Sequence, residues 1–198
     1  LDERELDRLR SQHALHFAAV AVEEAGRLHG PDEAAAVDVL SAAFPDLRAG
    51  FGWAVGHDPS VATRLVASLP DYAYWREGFE VAEWAAECID RTRGVGLDRA
   101  LCGAAARGAW CLGRFREASA YARLSSAGVG DGPVSRSGHP GDVLADLALY
   151  EGRGVEALAH YRAALEGARA RLDQVLASWA LYYVSVVSTV LGLPGAIE

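Results

Sequence analysis

Four glycines recur along the chain at a nearly constant spacing, and this spacing constrains the fold more than any other feature. They are Gly78, Gly113, Gly152 and Gly192, separated by 35, 39 and 40 residues. Similar segments follow two of them, GRFREASAYA from residue 113 and GRGVEALAHY from residue 152. A small residue also lies seven positions before each of these two glycines, at Ala106 and Ala145. The pattern predicts pairs of antiparallel helices that approach closely through small side chains and cover the apolar faces of neighbouring pairs.

The spacing is close to the period of about 34 residues that is typical of tetratricopeptide repeats. We therefore predict an all-α fold, a right-handed superhelix of antiparallel helix pairs. Residues 1–57 are expected to form an N-terminal helical segment that leads into the repeats. Residues 58–198 are expected to form the repeats themselves, with the last repeat truncated at the C-terminus. The unit around Gly78 fits less well, because Glu83 stands where the pattern expects alanine.

Prolines and glycines predict the helix boundaries outside the clear repeats. A first helix over about residues 2–29 should end at Gly30-Pro31, because glycine after a helix followed by proline is a common stop signal. A second helix should break or kink at Pro45, and a short third helix should end at Gly56. These three helices would make up the N-terminal segment.

The following stretch carries a clear start signal and a clear break. Asp58 can cap a helix whose first residue is Pro59, and Pro70 should split or kink that helix. Residues 127–141 are rich in glycine and proline and are predicted to form a loop between two repeats.

Charge and composition argue against several classes of function. The formal net charge is −8 and no cluster of basic residues is present, which argues against direct contact with nucleic acid through this segment. The apolar stretch 175–197 contains serines, Gly192 and Pro194, so we interpret it as a buried helix and a turn, not as a membrane span. The three cysteines, none in C-x-x-C spacing, indicate buried thiols in a reducing, cytoplasmic compartment. Because the chain starts at Leu1 and contains no methionine, it is expected to be a fragment of a longer protein.

Three sets of residues could in principle carry chemistry, and each has a plainer interpretation. His13 and His16 could bind a metal, but no third ligand lies at suitable spacing, so helix packing is favoured. The glycines at 128, 130 and 132 lack the Lys-Ser/Thr of a phosphate loop and favour a flexible loop. Ser135 and Ser137 lie near His139, but no strand-to-helix elbow holds either serine as a nucleophile. We therefore predict no enzymatic activity, no metal and no cofactor.

A groove for a partner is the remaining candidate site. When positions are counted from the turn glycines, the first helix of each repeat should present a set of aromatic and charged residues to one inner surface: Arg107 and Trp110, then Asp142, Asp146 and Tyr150, then Trp179 and Tyr182. Aromatic side chains flanked by charges suit a concave surface for a peptide or small ligand. The alternative interpretation is packing between repeats together with solvated charges. Trp53, Trp75 and Trp84 are instead expected in the core.

A segment of the N-terminal part resembles a known family. The sequence PDLRAGFGWA at residues 45–54 is similar to the Asp-Asn-Leu-Arg-Ala-Ala-x-x-Trp-Ala motif of large actinobacterial signalling proteins. The dipeptide His16-Phe17, the tripeptides at 30–32 and 74–76, and the segment 84–87 also resemble that family. Its members join a signalling ATPase module to a helical repeat region, and carry a LuxR-type or antibiotic-regulator-type DNA-binding domain, or a nucleotide cyclase domain. The resemblance implies architecture, and the motif implies no catalytic role.

Two functions remain open from the sequence. The first is a non-catalytic segment of a multidomain signalling or transcriptional regulator, which binds a protein or peptide, another domain of the same chain, or a small effector. The second is a structural spacer or oligomerisation module, for example a homodimer contact in a cyclase-type protein. An apolar patch around residues 191–197 would then mark the next repeat or the dimer contact.

Overall fold

The structure is a computed structural model, and it describes residues 2–76, 78–92, 98–128 and 135–193. These residues form ten helices: α1 (Glu3–Ala25), α2 (Glu33–His57), α3 (Pro59–Ser68), α4 (Pro70–Trp75), α5 (Glu80–Arg91), α6 (Arg99–Cys111), α7 (Phe115–Ala127), α8 (Pro140–Tyr150), α9 (Gly154–Ala170) and α10 (Gln174–Val190). The prediction of an all-α fold is confirmed for this part of the chain. None of the helices in it is both long and apolar enough to cross a membrane.

Neighbouring helices in the second half of the chain pack antiparallel. Arg99, at the start of α6, donates from Nε to the carbonyl of Ser125 near the end of α7, and Ser125 Oγ donates back to the Arg99 carbonyl at 2.8 Å. In the same way Gly154, at the start of α9, lies against Leu191, just after α10. Helices two apart along the chain also meet, because α6 packs directly on α8.

Left-handed residues follow α6, α8 and α10, and the first two lie where the chain turns back into α7 and α9. Gly113, Gly152 and Gly192 have φ values of 72°, 75° and 65°. At the first of these turns the N–H of Arg114 donates to the Ala109 carbonyl at 2.8 Å, which is the six-to-one bond of a Schellman motif. The three predicted turns therefore have one shared geometry, for which glycine has no steric cost.

The glycine spacing does not predict the turn at Leu172, and it wrongly predicts a left-handed turn at Gly78. The chain also reverses between α9 and α10, and there the left-handed residue is Leu172, with a φ of 59°. Gly78, in contrast, is not left-handed. A Cβ at Gly78 would lie 3.2 Å from the Cα of Ala73. Glycine is therefore favoured here because the backbone passes close to Ala73, and not because the turn is left-handed.

The predicted end of the first helix is wrong by four residues. Helix α1 ends at Ala25, and the left-handed residue that follows is His29, with a φ of 63°, and not Gly30. The imidazole of His29 faces Asp71 at 3.7 Å and meets the Trp179 ring edge-on. These tertiary contacts explain why a histidine holds a conformation that glycine adopts more easily.

The predicted break at Pro45 is also wrong, because α2 continues through it as one helix. A proline inside a helix removes one backbone hydrogen bond. Burial of Leu47 and Phe51 after the proline holds the helix together. Gly50 supports the same packing, because a Cβ at this position would lie only 3.3 Å from the Cα of Ala14 in α1.

The other boundary predictions agree with the structure where it is described. Asp58 caps α3 by accepting from the N–H groups of Ser60 and Val61, each at 3.2 Å. Pro70 separates α3 from α4. The predicted loop 127–141 is a little longer than observed, because α8 begins at Pro140, and its residues 129–134 lie outside the described part, as does most of the glycine run.

The largest apolar cluster contains residues from every helix from α1 through α6. Trp84 is buried there and stacks on Phe51 with ring centroids 4.7 Å apart, as expected for a core residue. Trp53 packs against the same cluster and is partly buried. Trp75 is not a core residue, because 58% of it is exposed. It ends the short helix α4, whose few residues cannot cover it.

Candidate functional site

A cleft of about 220 Å³ opens between α4, α6, α8 and α10. Nine residues line it: Tyr74, Trp75, Arg107, Ser137, Asp142, Asp146, Trp179, Tyr182 and Tyr183. In the described part of the chain α8 and α10 make little direct contact, whereas α6 and α8 pack closely, and the cleft lies beside this looser junction. The aromatic lining residues, Tyr74, Trp75, Trp179, Tyr182 and Tyr183, form its walls. The polar lining residues, Arg107, Ser137, Asp142 and Asp146, form its floor.

Arg107 forms the centre of the floor. Its Nη1 donates to Asp146 Oδ2 at 2.6 Å, and its Nε donates to the carbonyl of Ser137. The guanidinium also lies 5.2 Å from the centroid of the Tyr74 ring and 5.0 Å from that of Trp110. Burial opposes the charge of Arg107, but the charge of Asp146 and its hydrogen bond outweigh burial and raise the pKa of the guanidinium. Arg107 is therefore a fixed cation whose main partner is already in place.

Asp142 is the less closely paired of the two carboxylates in the charged floor. It is only 5% exposed, and its nearest cation is Arg107 Nη2, 4.0 Å from Oδ2. Its Oδ1 has no hydrogen-bond partner in the described part of the chain. Burial raises the pKa of Asp142 to about 6, against the opposing charge of Arg107. A buried carboxylate oxygen without a donor is rare and costly in a folded protein.

The aromatic walls come from α4 and α10, two helices that are distant along the chain. Trp75 of α4 and Trp179 of α10 meet edge-on with centroids 6.1 Å apart. Tyr182 is 64% exposed and lies at the open side, next to Tyr183. Tyr183 stacks on the buried ring of Tyr161 at 4.9 Å. The cleft thus has a partly open mouth and a rigid inner wall.

A second set of contacts fixes the turn that precedes α8. The carboxylate of Asp71, in α4, accepts from the N–H groups of Arg136 at 3.2 Å and Ser137 at 2.8 Å. Arg136 in turn donates to Asp173, the capping residue of α10, at 3.0 Å. Burial alone would raise the pKa of Asp71, but the contacts with His29 and Ser137 lower it. The turn is therefore held between α4 and α10, and it places Ser137 on the cleft floor.

The repeat register explains why Arg107 and Asp146 meet. Each lies six residues before its turn glycine, at 113 and 152. Since α6 and α8 pack directly, equivalent positions of the two helices become neighbours. The same count places Asp142 and Tyr182 at one equivalent position, ten residues before their glycines, and both line the cleft.

Five of the seven predicted site residues line this one cleft: Arg107, Asp142, Asp146, Trp179 and Tyr182. The other two do not. Trp110 lies behind Arg107 and meets Tyr150 edge-on at 5.7 Å, and Tyr150 also contacts Phe115. Both lie within three residues of a turn glycine, at the C-terminal ends of α6 and α8, whereas Asp142 and Asp146 lie earlier in α8.

Four lining residues were not predicted: Tyr74, Trp75, Ser137 and Tyr183. Tyr183 could have been found, because it lies nine residues before Gly192 and next to a predicted position. Trp75 was expected in the core. Ser137 lies in the glycine-rich stretch, where no periodic signal exists.

The residues considered for metal binding or nucleophilic chemistry differ in their contacts. His13 Nε2 lies 3.0 Å from Asp46 Oδ1, which joins α1 to α2. In the described part of the chain Ser137 Oγ and His139 Nδ1 both lack a hydrogen-bond partner, so they do not bond to each other. Burial lowers the pKa of His139 to about 4, so this imidazole is neutral at physiological pH.

Comparison with known proteins adds no family to this geometry. The sequence matches no protein-family profile and no curated protein. The resemblance of residues 45–54 to actinobacterial signalling proteins therefore stays a prediction.

Proposed function

We propose that the chain is a tetratricopeptide-like repeat segment that binds a partner or effector in the cleft and has no catalytic role. In this proposal the helix pairs wind into a right-handed superhelix, and the assignment of repeats is supported by the shared geometry at Gly113, Gly152 and Gly192. It is also supported by the pairing of Arg107 with Asp146 at equivalent positions of successive repeats. Stacked repeats create extended concave surfaces of this kind.

The cleft with its less closely paired carboxylate, Asp142, is the observation that carries the proposal. Ligand sites are typically concave and largely apolar, with a few polar groups that fix orientation. Aromatic rings line the walls here, and Asp142 and Ser137 offer buried oxygens that have no hydrogen-bond partner among the described residues. Packing between repeats alone would be better served by apolar residues at these positions, since an unmatched buried polar atom costs about 1–3 kcal/mol.

The biological context follows from the family resemblance. The segment would belong to a multidomain bacterial signalling or transcriptional regulator, located in the cytoplasm. Its ligand would be a protein or peptide, another domain of the same chain, or a small effector. Binding in the cleft would favour one arrangement of the repeats and so bias an attached ATPase or output domain. The acidic repeat segment would not contact nucleic acid itself.

A thermal-shift screen tests the binding function. The chain is melted with a panel of cationic, anionic, zwitterionic and neutral metabolites, alongside the variants Trp179→Ala and Trp53→Ala. Trp179 lines the cleft, whereas Trp53 is a partly buried tryptophan elsewhere, so it serves as the matched control. A compound that raises the melting temperature of the wild type and of Trp53→Ala, but not of Trp179→Ala, supports the proposal. A panel without any such compound contradicts effector binding in the cleft.

An oligomerisation module is the second candidate, because α10 exposes several large apolar side chains. Leu181, Tyr182 and Val190 are each exposed by 47% or more, although they belong to one of the most apolar helices of the chain. Light scattering of the chain across a concentration series tests this function. A dimer that Val190→Glu converts to monomer would support it, and a monomer at all concentrations would contradict it.

A further inference from the structure

Two oxygen atoms in the residues of the cleft floor have unused hydrogen-bonding capacity in the part of the chain that the structure describes. Asp142 and Ser137 both line the cleft and are only 5% and 2% exposed, and the atoms in question are Asp142 Oδ1 and Ser137 Oγ. Neither atom has a hydrogen-bond partner within the described residues. A carboxylate oxygen can only accept, and a hydroxyl can both accept and donate. A ligand that satisfies both atoms must therefore present N–H or O–H groups.

The charge of the floor favours a cation. Arg107 is shared by two carboxylates, with Asp146 at 2.6 Å and Asp142 at 4.0 Å, so the three groups together carry one net negative charge. Asp71 adds a second, partly buried carboxylate that accepts from the Ser137 N–H at 2.8 Å, and the imidazole of His29 lies 3.7 Å from it. An anionic ligand would have to compete with Asp146 for Arg107 and would be repelled by Asp142. A cation that pairs with Asp142 meets neither obstacle.

The walls have the chemistry that covers an alkylammonium group. Rings of Trp and Tyr attract cations through their faces, and the attraction is strongest where water is excluded. The rings of Trp75 and Trp179 meet over the cleft, and Trp75 and Tyr182 remain more than half exposed at its mouth. A volume of about 220 Å³ is below the range that holds drug-sized ligands, so it suits a single small chain.

We propose that the cleft binds a primary alkylammonium group, with Asp142 Oδ1 and Ser137 Oγ accepting its N–H groups and the tryptophan rings covering its alkyl stem. The inference rests on the proposed function and names the ligand chemistry of the same cleft. A free alkylamine and a lysine side chain of a partner carry the same group. A quaternary ammonium lacks the N–H donors and fits the walls but not the floor.

Tryptophan fluorescence of the full chain tests the proposal, because Trp75 and Trp179 line the cleft. n-Butylammonium, tetramethylammonium, butyrate and n-butanol are titrated to millimolar concentration. We expect saturable binding of n-butylammonium and clearly weaker binding of the other three. Asp142→Asn should weaken n-butylammonium binding by about tenfold or more, since a hydrogen bond to a charged group is lost. The control Asp46→Asn makes the same chemical change at an exposed carboxylate of α2 and should leave the affinity unchanged.

The outcomes separate this inference from the proposed function. Equal binding of butyrate, n-butanol or tetramethylammonium, an unchanged affinity in Asp142→Asn, or no binding of any probe overturns the ammonium inference. Asp142→Asn must melt no lower than the wild type for the comparison to count, and the exposed variant Tyr182→Ala provides a second test with the same expected weakening. If the ammonium probes fail while a metabolite still depends on Trp179, the proposed function stands without this inference. N-acetyl-lysine methylamide distinguishes the sources, because tighter binding than n-butylammonium indicates a lysine side chain and weaker binding a free amine.

Discussion

Removal of Asp146 should destabilise the chain far more than removal of a similar carboxylate on the surface. In Asp146→Ala the buried guanidinium of Arg107 loses its bond at 2.6 Å, and the hydroxyl of Tyr161 loses its acceptor. Breaking a buried ion pair by removing one partner costs about 3–5 kcal/mol, because the other charge is left uncompensated. Asp142, 4.0 Å from the guanidinium, offsets part of this cost. We therefore expect a loss of about 3–5 kcal/mol, with the orphaned hydroxyl included.

Urea denaturation followed by circular dichroism at pH 7 measures this loss. A destabilisation of about 3–5 kcal/mol corresponds to a fall in melting temperature of roughly 6–20 °C for a chain of this length. The denaturation midpoint should fall while the slope with urea stays the same, which separates a stability change from a change in the unfolded state. Glu83→Ala is the matched control, since it breaks an exposed Arg114–Glu83 pair of 2.8 Å and should cost less than about 1 kcal/mol.

A triple variant tests whether an uncompensated charge causes the loss. Arg107→Met/Asp146→Leu/Tyr161→Phe replaces the three polar groups with apolar ones of similar size. Such replacements of buried ion pairs are often neutral or stabilising, so the triple variant should be more stable than Asp146→Ala alone. A cost of Asp146→Ala as small as that of Glu83→Ala would refute the reasoning. So would a triple variant that is less stable than Asp146→Ala.

Five further substitutions have expected effects on stability. Leu172→Gly should raise the free energy of unfolding by about 0.5–1 kcal/mol in urea denaturation, because Leu172 is 87% exposed and its φ is 59°. Gly108→Ala should lower the free energy of unfolding by about 1–3 kcal/mol, because the added Cβ would lie 2.0 Å from the Cβ of a facing alanine. Gly52→Ala has open space around the added Cβ and should raise the free energy of unfolding by about 0.5–1 kcal/mol. Burial raises the pKa of Asp142 to about 6, so its ionisation destabilises the folded chain as pH rises. The free energy of unfolding of Asp142→Asn, relative to that of the wild type, should therefore increase by up to about 3 kcal/mol between pH 4 and pH 7. His139 acts in the opposite sense because its pKa is lowered to about 4: its contribution is present above pH 6.5 and lost on acidification, so His139→Asn should flatten the acid side of the stability profile.

The repeat pattern predicted the helix pairs and their turns because it reports two local requirements. One is a residue that tolerates a left-handed conformation, and glycine supplies it at 113, 152 and 192. The other is a small residue where helices cross, as at Ala106 and Ala145, both fully buried. These requirements belong to single positions, so they can be read from the sequence. Counting back from the glycines then brought five residues of one cleft together.

The remaining features depend on contacts between distant segments. The ring of His29 is held near Asp71 and Trp179, so the end of α1 is set by residues up to 150 positions away. Leu172 takes a conformation that its residue type disfavours, and only the Schellman bonds around it identify the turn. Trp75 was expected in the core because tryptophan is usually buried, but α4 is too short to cover it. No periodicity encodes these contacts.

Two variants can separate the contributions that the Arg107–Asp146 ion pair and the Asp142 carboxylate make to ammonium binding. The pair is neutral as a whole, so its replacement by apolar residues leaves the net charge of the floor at that of Asp142. Ammonium binding should therefore persist in the triple variant. In Arg107→Met alone the floor gains a negative charge, and the affinity for n-butylammonium should rise if the chain stays folded. Loss of n-butylammonium binding in both variants, with the helical circular dichroism unchanged, would mean that binding depends on Arg107 itself and that the charge of Asp142 does not account for it.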